Sequence, residues 1–234
     1  MPTLKFKYFL FLFTLLSLFS CTNTSNSADF IQKAKGRYLY NFDEVIDVYF
    51  KNDVMYMAWR GATDIKPLKI NDSIFYVKEM NAKIKFLKNP ADQLTYLALV
   101  PKEKDQPVTY NYKKLKDGEK VPSEYLKDNE FDKALTGYLA IKERDSLNPI
   151  IDEGNFNSLG YAALRNKKYE EAINIFKINI ALHPTSANVY DSLGDAFRKK
   201  GDTIQAIANY KKSLTLDSGN ARAKRIISRL EKKE

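Results

Sequence analysis

The residues that most often carry chemistry are nearly absent from this 234-residue chain, which has one cysteine, Cys21, and one histidine, His183. A sole cysteine excludes an intrachain disulfide framework and a cysteine-cluster metal site. A sole histidine, next to the helix-ending Pro184, makes neither a catalytic triad nor a histidine metal site. There is no Gly-rich phosphate loop, and no pair of carboxylates stands in a recognisable acid/base or metal arrangement. The sequence therefore implies no cofactor, no metal and no enzymatic activity. It also lacks a concentrated basic patch. The net charge of +9 is spread as +2 over residues 1–21, +4 over 22–118 and +3 over 119–234, with acids interspersed throughout. Nucleic-acid binding requires Lys and Arg clustered on one face, so that class is excluded.

Only one long hydrophobic run occurs, and it lies at the N-terminus. Lys5 and Lys7 precede an apolar stretch from Phe9 to Phe19, interrupted by Thr14 and Ser17. That is about half of the roughly 20 apolar residues a spanning helix needs, and it matches the charged and apolar regions of a secretory signal. Leu18-Phe19-Ser20-Cys21 follows, then the polar run Thr22 to Ser27. This resembles the lipobox of bacterial lipoproteins, with Phe19 bulkier than the usual residue there. The resemblance implies a signal peptide at 1–20, cleavage after the small Ser20, and lipid on Cys21, with 21–29 as a polar tether. Several acyl chains, at about 0.8 kcal/mol per buried methylene, fix a protein stably to a bilayer. Thr22 rather than Asp after the cysteine implies the outer membrane, and the expected location is its periplasmic face.

Residues 30–115 read as an antiparallel β-domain. Short runs rich in aromatic and β-branched residues alternate with polar breakers, giving seven or eight candidate strands: 37–42, 45–50, 54–59, 65–70, 73–77, 83–87, 93–100 and 108–112. Lys51-Asn52-Asp53 suits a tight hairpin turn, because Asn and Asp tolerate positive φ. Ile46, Val48 and Phe50 alternate with Asp47 and Tyr49, as a half-buried strand requires. Strands at this spacing predict a small barrel or sandwich. Gly36-Arg37-Tyr38, Val54-Met55-Tyr56-Met57, Pro67-Leu68 before Ser73-Ile74-Phe75-Tyr76-Val77, and Ile84-Lys85-Phe86 occur in an order similar to the lipocalin-like accessory domain at the C-terminus of β-lactamase-like serine hydrolases. The hydrolase itself is missing: no Ser-x-x-Lys occurs, so that resemblance implies no acyl-transfer activity. Tyr38, Phe50, Trp59, Phe75 and Phe86 either fill the core or line an apolar ligand pocket, with core filling favoured in a sheet this small.

After a charged linker at 116–122, residues 123–234 carry a 34-residue period, the length of a tetratricopeptide (TPR) unit. Gly160 and Gly194, Ala172 and Ala206, and Phe176 and Tyr210 are each separated by 34. The small residues let paired helices approach closely, and the aromatics wedge between pairs. A degenerate copy with a longer second helix precedes them at Phe131, Ala134 and Tyr138, and Ala223, Ile226, Ile227 and Leu230 mark a final capping helix. The fold class expected is therefore α+β in two domains: a small lipocalin-like antiparallel barrel or sandwich, followed by a TPR solenoid. Resemblance to TPR proteins implies partner contacts at the second, fifth, ninth, twelfth and thirteenth positions of the first helix of each pair. On this chain these include Asn157, Tyr161 and Arg165, then Asn188, Asp191, Asp195, Arg198 and Lys199. The functional expectation is a non-catalytic, membrane-tethered adaptor that binds a protein or peptide; the alternative is a carrier of a small apolar ligand in the β-domain.

Overall fold

The computed structural model describes residues 25–103 and 105–232. The signal sequence, Cys21 and the lipobox lie outside the described residues. A short helix, α1 (Ala28–Ala34), is started by Ser27, whose side chain accepts a hydrogen bond from the backbone N–H of Phe30. Nine strands follow: β1 (Gly36–Asn41), β2 (Glu44–Lys51), β3 (Val54–Trp59), β4 (Ala62–Ile65), β5 (Leu68–Lys69), β6 (Ile74–Val77), β7 (Ala82–Lys88), β8 (Thr95–Leu99) and β9 (Tyr112–Lys114). They form one antiparallel sheet in the order β4-β3-β2-β1-β9-β8-β7-β6-β5.

The pleat explains the burial. Ile46 and Val48 of β2 and Met55 and Met57 of β3 are buried, while Asp47, Tyr49, Tyr56 and Ala58 alternate with them. Asn52 and Asp53 between β2 and β3 both adopt positive φ, at 48° and 61°, as a tight hairpin requires. The run expected as one strand over 65–70 is broken instead. Pro67 cannot donate to a ladder, and the chain crosses from β4 to β5, which are the opposite edges of the sheet. The last strand starts at Tyr112 rather than at 108, because the Asn111 side chain accepts the Leu99 N–H at 2.8 Å in place of a ladder bond.

The sheet curls around α1. β2 and β6 are five strands apart, which in a flat sheet would separate them by roughly 24 Å at about 4.8 Å per strand. Yet the Phe30 ring lies 6.2 Å from that of Phe50 on β2 and 5.3 Å from that of Phe75 on β6, and it also meets Phe86 on β7 at 5.7 Å. Phe30 thus fills the concave face. Tyr38 is buried beneath it, its hydroxyl donating to the Ala34 carbonyl at 2.7 Å. Among the described residues no ladder joins β4 to β5, so the sheet is open and curled rather than a closed barrel or a two-sheet sandwich. The segment before α1 laces its two sides: Asn26 donates from its backbone and side chain to Asp53 O, at 2.9 and 2.8 Å, and Lys69 on β5 donates to Ser25 O at 2.6 Å.

The helices are α2 (Pro122–Lys127), α3 (Phe131–Arg144), α4 (Glu153–Arg165), α5 (Tyr169–Leu182), α6 (Ala187–Lys200), α7 (Thr203–Leu216) and α8 (Ala221–Glu231), with a 3-10 turn at Pro149–Ile151. The pairs α4–α5 and α6–α7 repeat at the predicted period, and the glycines act as expected. A Cβ on Gly160 would lie 2.4 Å from the Phe176 ring, and one on Gly194 would lie 2.9 Å from the Tyr210 ring. The degenerate copy differs from expectation. Its second helix, α3, has 14 residues, the same as α5 and α7, and the extra length sits in the connection that contains the 3-10 turn. His183 stabilises that connection: its Nε2 lies 2.8 Å from the Ile151 carbonyl oxygen.

Sheet and helices meet at β1 and the β1–β2 turn. The Asp43 carboxylate accepts the Ser123 N–H at 2.6 Å, Arg37 pairs with Glu124, and Phe42 packs against the helical core.

Candidate functional site

The first helices of successive pairs, α4, α6 and α8, bring part of the predicted groove into one network. Asp195, 5% exposed, is its centre. Its carboxylate accepts the hydroxyls of Tyr161 at 2.9 Å and Tyr210 at 2.6 Å, the Arg198 guanidinium at 3.0 Å, and the Arg222 guanidinium. Arg222 also pairs with Asp191, which accepts the Asn220 amide at 3.1 Å as well. Arg198 in turn donates to the Tyr210 hydroxyl at 3.2 Å.

The two carboxyls respond differently to burial. Desolvation raises both, but on Asp195 the hydrogen bonds from Tyr210, Arg198 and Arg222 and the Arg222 charge outweigh it and hold that group below its usual range. Asp191, with fewer donors and Asp195 nearby, stays above its usual range. Burial and the Asp195 charge push the Tyr161 hydroxyl up to about 12.

Of the predicted residues, Tyr161, Asp191, Asp195 and Arg198 therefore spend their hydrogen bonds within the protein. Asn188 is exposed and donates to Glu153 at 2.9 Å. Arg165 and Lys199 are exposed, and Asn157 is half-buried with its Oδ1 unpaired. Arg222 is the residue sequence reasoning missed, although it stands 34 positions after Asn188 and so repeats that second position on α8.

A second site lies where the array begins. α2 has six residues, whereas α4 and α6 have 13 and 14. On α6 the face turned toward the preceding pair is sealed, with Val189, Leu193 and Ala196 at 0%, 5% and 0% exposure. Their equivalents on α4 are the exposed Asn155, Leu159 at 48%, and the half-buried Ala162. The truncated helix leaves a cavity of about 490 Å³ there, walled by Leu126, Ile150, Phe156, Leu159 and Ile175, with Asp43 and Tyr138 beside them.

Desolvation pushes the Asp43 carboxyl up to about 6. Its hydrogen bonds from Ser123 and Tyr138 work against this, while the nearby Glu124 reinforces it. Between the ordinary carboxylate value and about 6 the folded chain holds this proton more tightly than the unfolded chain, so stability from this group falls as pH rises through that window. Asp43→Asn, which keeps an acceptor for Ser123, is expected to melt above the wild type near pH 8, with the advantage shrinking near pH 5. Thermal melts of both proteins check this; a difference independent of pH would refute it.

Among the described residues no cluster of three or more His, Cys, Asp or Glu is placed to hold a metal ion, and no helix is long and apolar enough to cross a membrane.

Residues 187–220 match the family model of the tetratricopeptide repeat, a span that runs from the start of α6 to Asn220. No curated protein matches the chain. Similar solved structures include the first TPR of Spaghetti (RPAP3) bound to the HSP90 peptide SRMEEVD, with 20% identity, a TM-score of 0.34, and coverage of 47% of this chain and 85% of that one. MamA is similar with 21% identity, a TM-score of 0.34, and coverage of 48% and 63%. The TPR domain of Arabidopsis OM64 is similar with 18% identity, a TM-score of 0.35, and coverage of 48% and 90%.

Proposed function

We propose that this chain is a lipid-anchored envelope protein, tethered through Cys21 at the periplasmic face of the outer membrane, that docks a protein or peptide partner on the face formed by α4, α6 and α8 and catalyses nothing. The observation that carries this reading is the TPR unit at 187–220, continued in register by α4 before it and α8 after it, so that three first helices share one face. On that face Arg165, Asn188 and Lys199 stay exposed, and amide and cationic groups of this kind hold peptide carbonyls and carboxylates. The tyrosine and carboxylate network behind them sets the spacing of the three helices.

Topology supports the tether. Asn26 sits against the β2–β3 turn, while the helices join at the β1–β2 turn, at the other end of the eight-residue β2. Lipid on Cys21, four residues before Ser25, would place the sheet between the bilayer and the array. The sheet itself, in likeness to the accessory domain of β-lactamase-like hydrolases, is read as a lipocalin-like spacer whose interior Phe30 fills.

Detergent extraction followed by affinity capture tests the proposal. Cys21→Ser is expected to move the protein to the soluble fraction. Asn188→Ala combined with Lys199→Glu, both exposed, is expected to cut partner recovery at least fivefold while stability stays within about 0.5 kcal/mol. Unchanged recovery with this double variant would overturn the groove; a stoichiometric small molecule with no co-purifying protein would favour a carrier instead.

A further inference from the structure

The cavity beside α2 is not part of that groove and uses none of its residues. Its walls are carbon: Leu126, Phe156, Leu159 and Ile175. Its polar end is the Asp43 carboxylate, which accepts hydrogen bonds from Ser123 and the Tyr138 hydroxyl and makes no ion pair among the described residues. The other lining carboxylate, Glu171, is already paired with Lys168 at 3.0 Å. Among the described residues Lys127 is the one cation lining the cavity, and it stands exposed at the rim. The volume, about 490 Å³, falls in the range of small-ligand sites, roughly 300–1,000 Å³, where an apolar wall supplies affinity and a few polar groups fix orientation.

We infer that this cavity takes an organic cation with an apolar body, its ammonium against Asp43 and its carbon skeleton on Leu159 and Phe156. The slot is open because α2 is short, and the hydrogen bond from the Ser123 N–H holds the Asp43 carboxylate of the β1–β2 turn at its end. A free amine and a basic side chain flanked by an apolar one in a partner peptide share this chemistry. A free carboxylate would meet the unpaired charge of Asp43 and be repelled.

The test titrates the full-length protein in detergent micelles with three probes: 4-phenylbutylamine, N-acetyl-Phe-Lys-amide and N-acetyl-Phe-Glu-amide. Amide resonances of Leu159, Ala162 and Tyr138 are followed by NMR. The two cationic probes are expected to shift these resonances and the glutamate peptide to leave them unmoved. Asn at position 43 (Asp43→Asn) is expected to weaken binding at least tenfold, and Ala162→Phe, which fills the slot from α4 without altering Asp43, to abolish it. Tighter binding of the lysine peptide points to a partner's side chain as the source, and tighter binding of the amine points to a free ligand. The inference is overturned if neither cation shifts Leu159 or Ala162, if the glutamate peptide binds as well as the lysine peptide, or if Asp43→Asn binds as the wild type does. Because Asn188 and Lys199 play no part, a negative result here leaves the groove reading standing, and loss of the groove leaves this one standing.

Discussion

Asp195→Ala is expected to cost about 3 kcal/mol of stability and to lower the melting midpoint by roughly 10 °C. The loss follows from what remains. Tyr210, fully buried, is left with a hydroxyl that has no carboxylate to donate to, and Arg198, Tyr161 and Arg222 lose a shared acceptor. Arg198 and Arg222 have side chains 35% and 43% exposed and turn partly to water, which keeps the cost toward the low end of the range for a broken buried pair. Asp191→Ala is expected to cost less, because Arg222 keeps Asp195. The pH dependence has a definite sign. The Asp195 carboxyl is held below its usual range, so its contribution is present above the ordinary carboxylate pKa and is lost as pH falls through the folded value; the deficit of Asp195→Ala should shrink in acid. Urea titrations of both variants at neutral and acid pH measure this, and a loss under about 1 kcal/mol at neutral pH would show that the network adds little.

Phe30→Ala is expected to destabilise the sheet by about 3 kcal/mol, at the low end for a phenylalanine truncation because the ring is only half-buried. This ring joins β2, β6 and β7 across the concave face, so its removal opens a gap that three other rings cannot close without uncurling the sheet. Hydrogen exchange is expected to accelerate in those strands and to stay unchanged in α6–α8, which share no contact with Phe30. Phe30→Leu should recover more than half of the loss; equal exchange changes in sheet and helices would refute the local role.

How much of this was legible depends on what kind of information each feature needs. The Asn52-Asp53 turn and the alternation of β2 and β3 are local, and so were readable residue by residue. The 34-residue period placed α4 to α7 because small and aromatic residues must recur wherever helix pairs repeat the same contact. What escaped is relational. Alternation tells that a strand is pleated but not which strand lies beside it, so Ile65 at the end of β4 and the whole of β5 read as one strand although β4 and β5 are opposite edges. Phe30 stands in a stretch with no strand alternation, and nothing nearby reveals that three distant strands converge on it. Arg222 carried the right period but lay in a helix read as a cap, its basic face taken as solvated. The shortness of α2 was not read: Pro122, which starts it, fell within the stretch taken as linker, and only the structure shows Asn129, with φ at 61°, turning the chain before α3. The cavity that results was not visible, since it depends on Asp43 arriving from the sheet, 80 residues away from Ser123.

The lacing of Ser25 and Asn26 has a mechanical consequence. Tension applied to the chain at its N-terminal side enters through hydrogen bonds to Asp53 and Lys69, on opposite sides of the open sheet, and then through the Phe30 ring wedged between them. Such a pull divides its load across both sides of the sheet and tends to draw them together. The helices, joined at the far end of β2, lie outside that line of force, so the array stays unloaded while the sheet bears the strain.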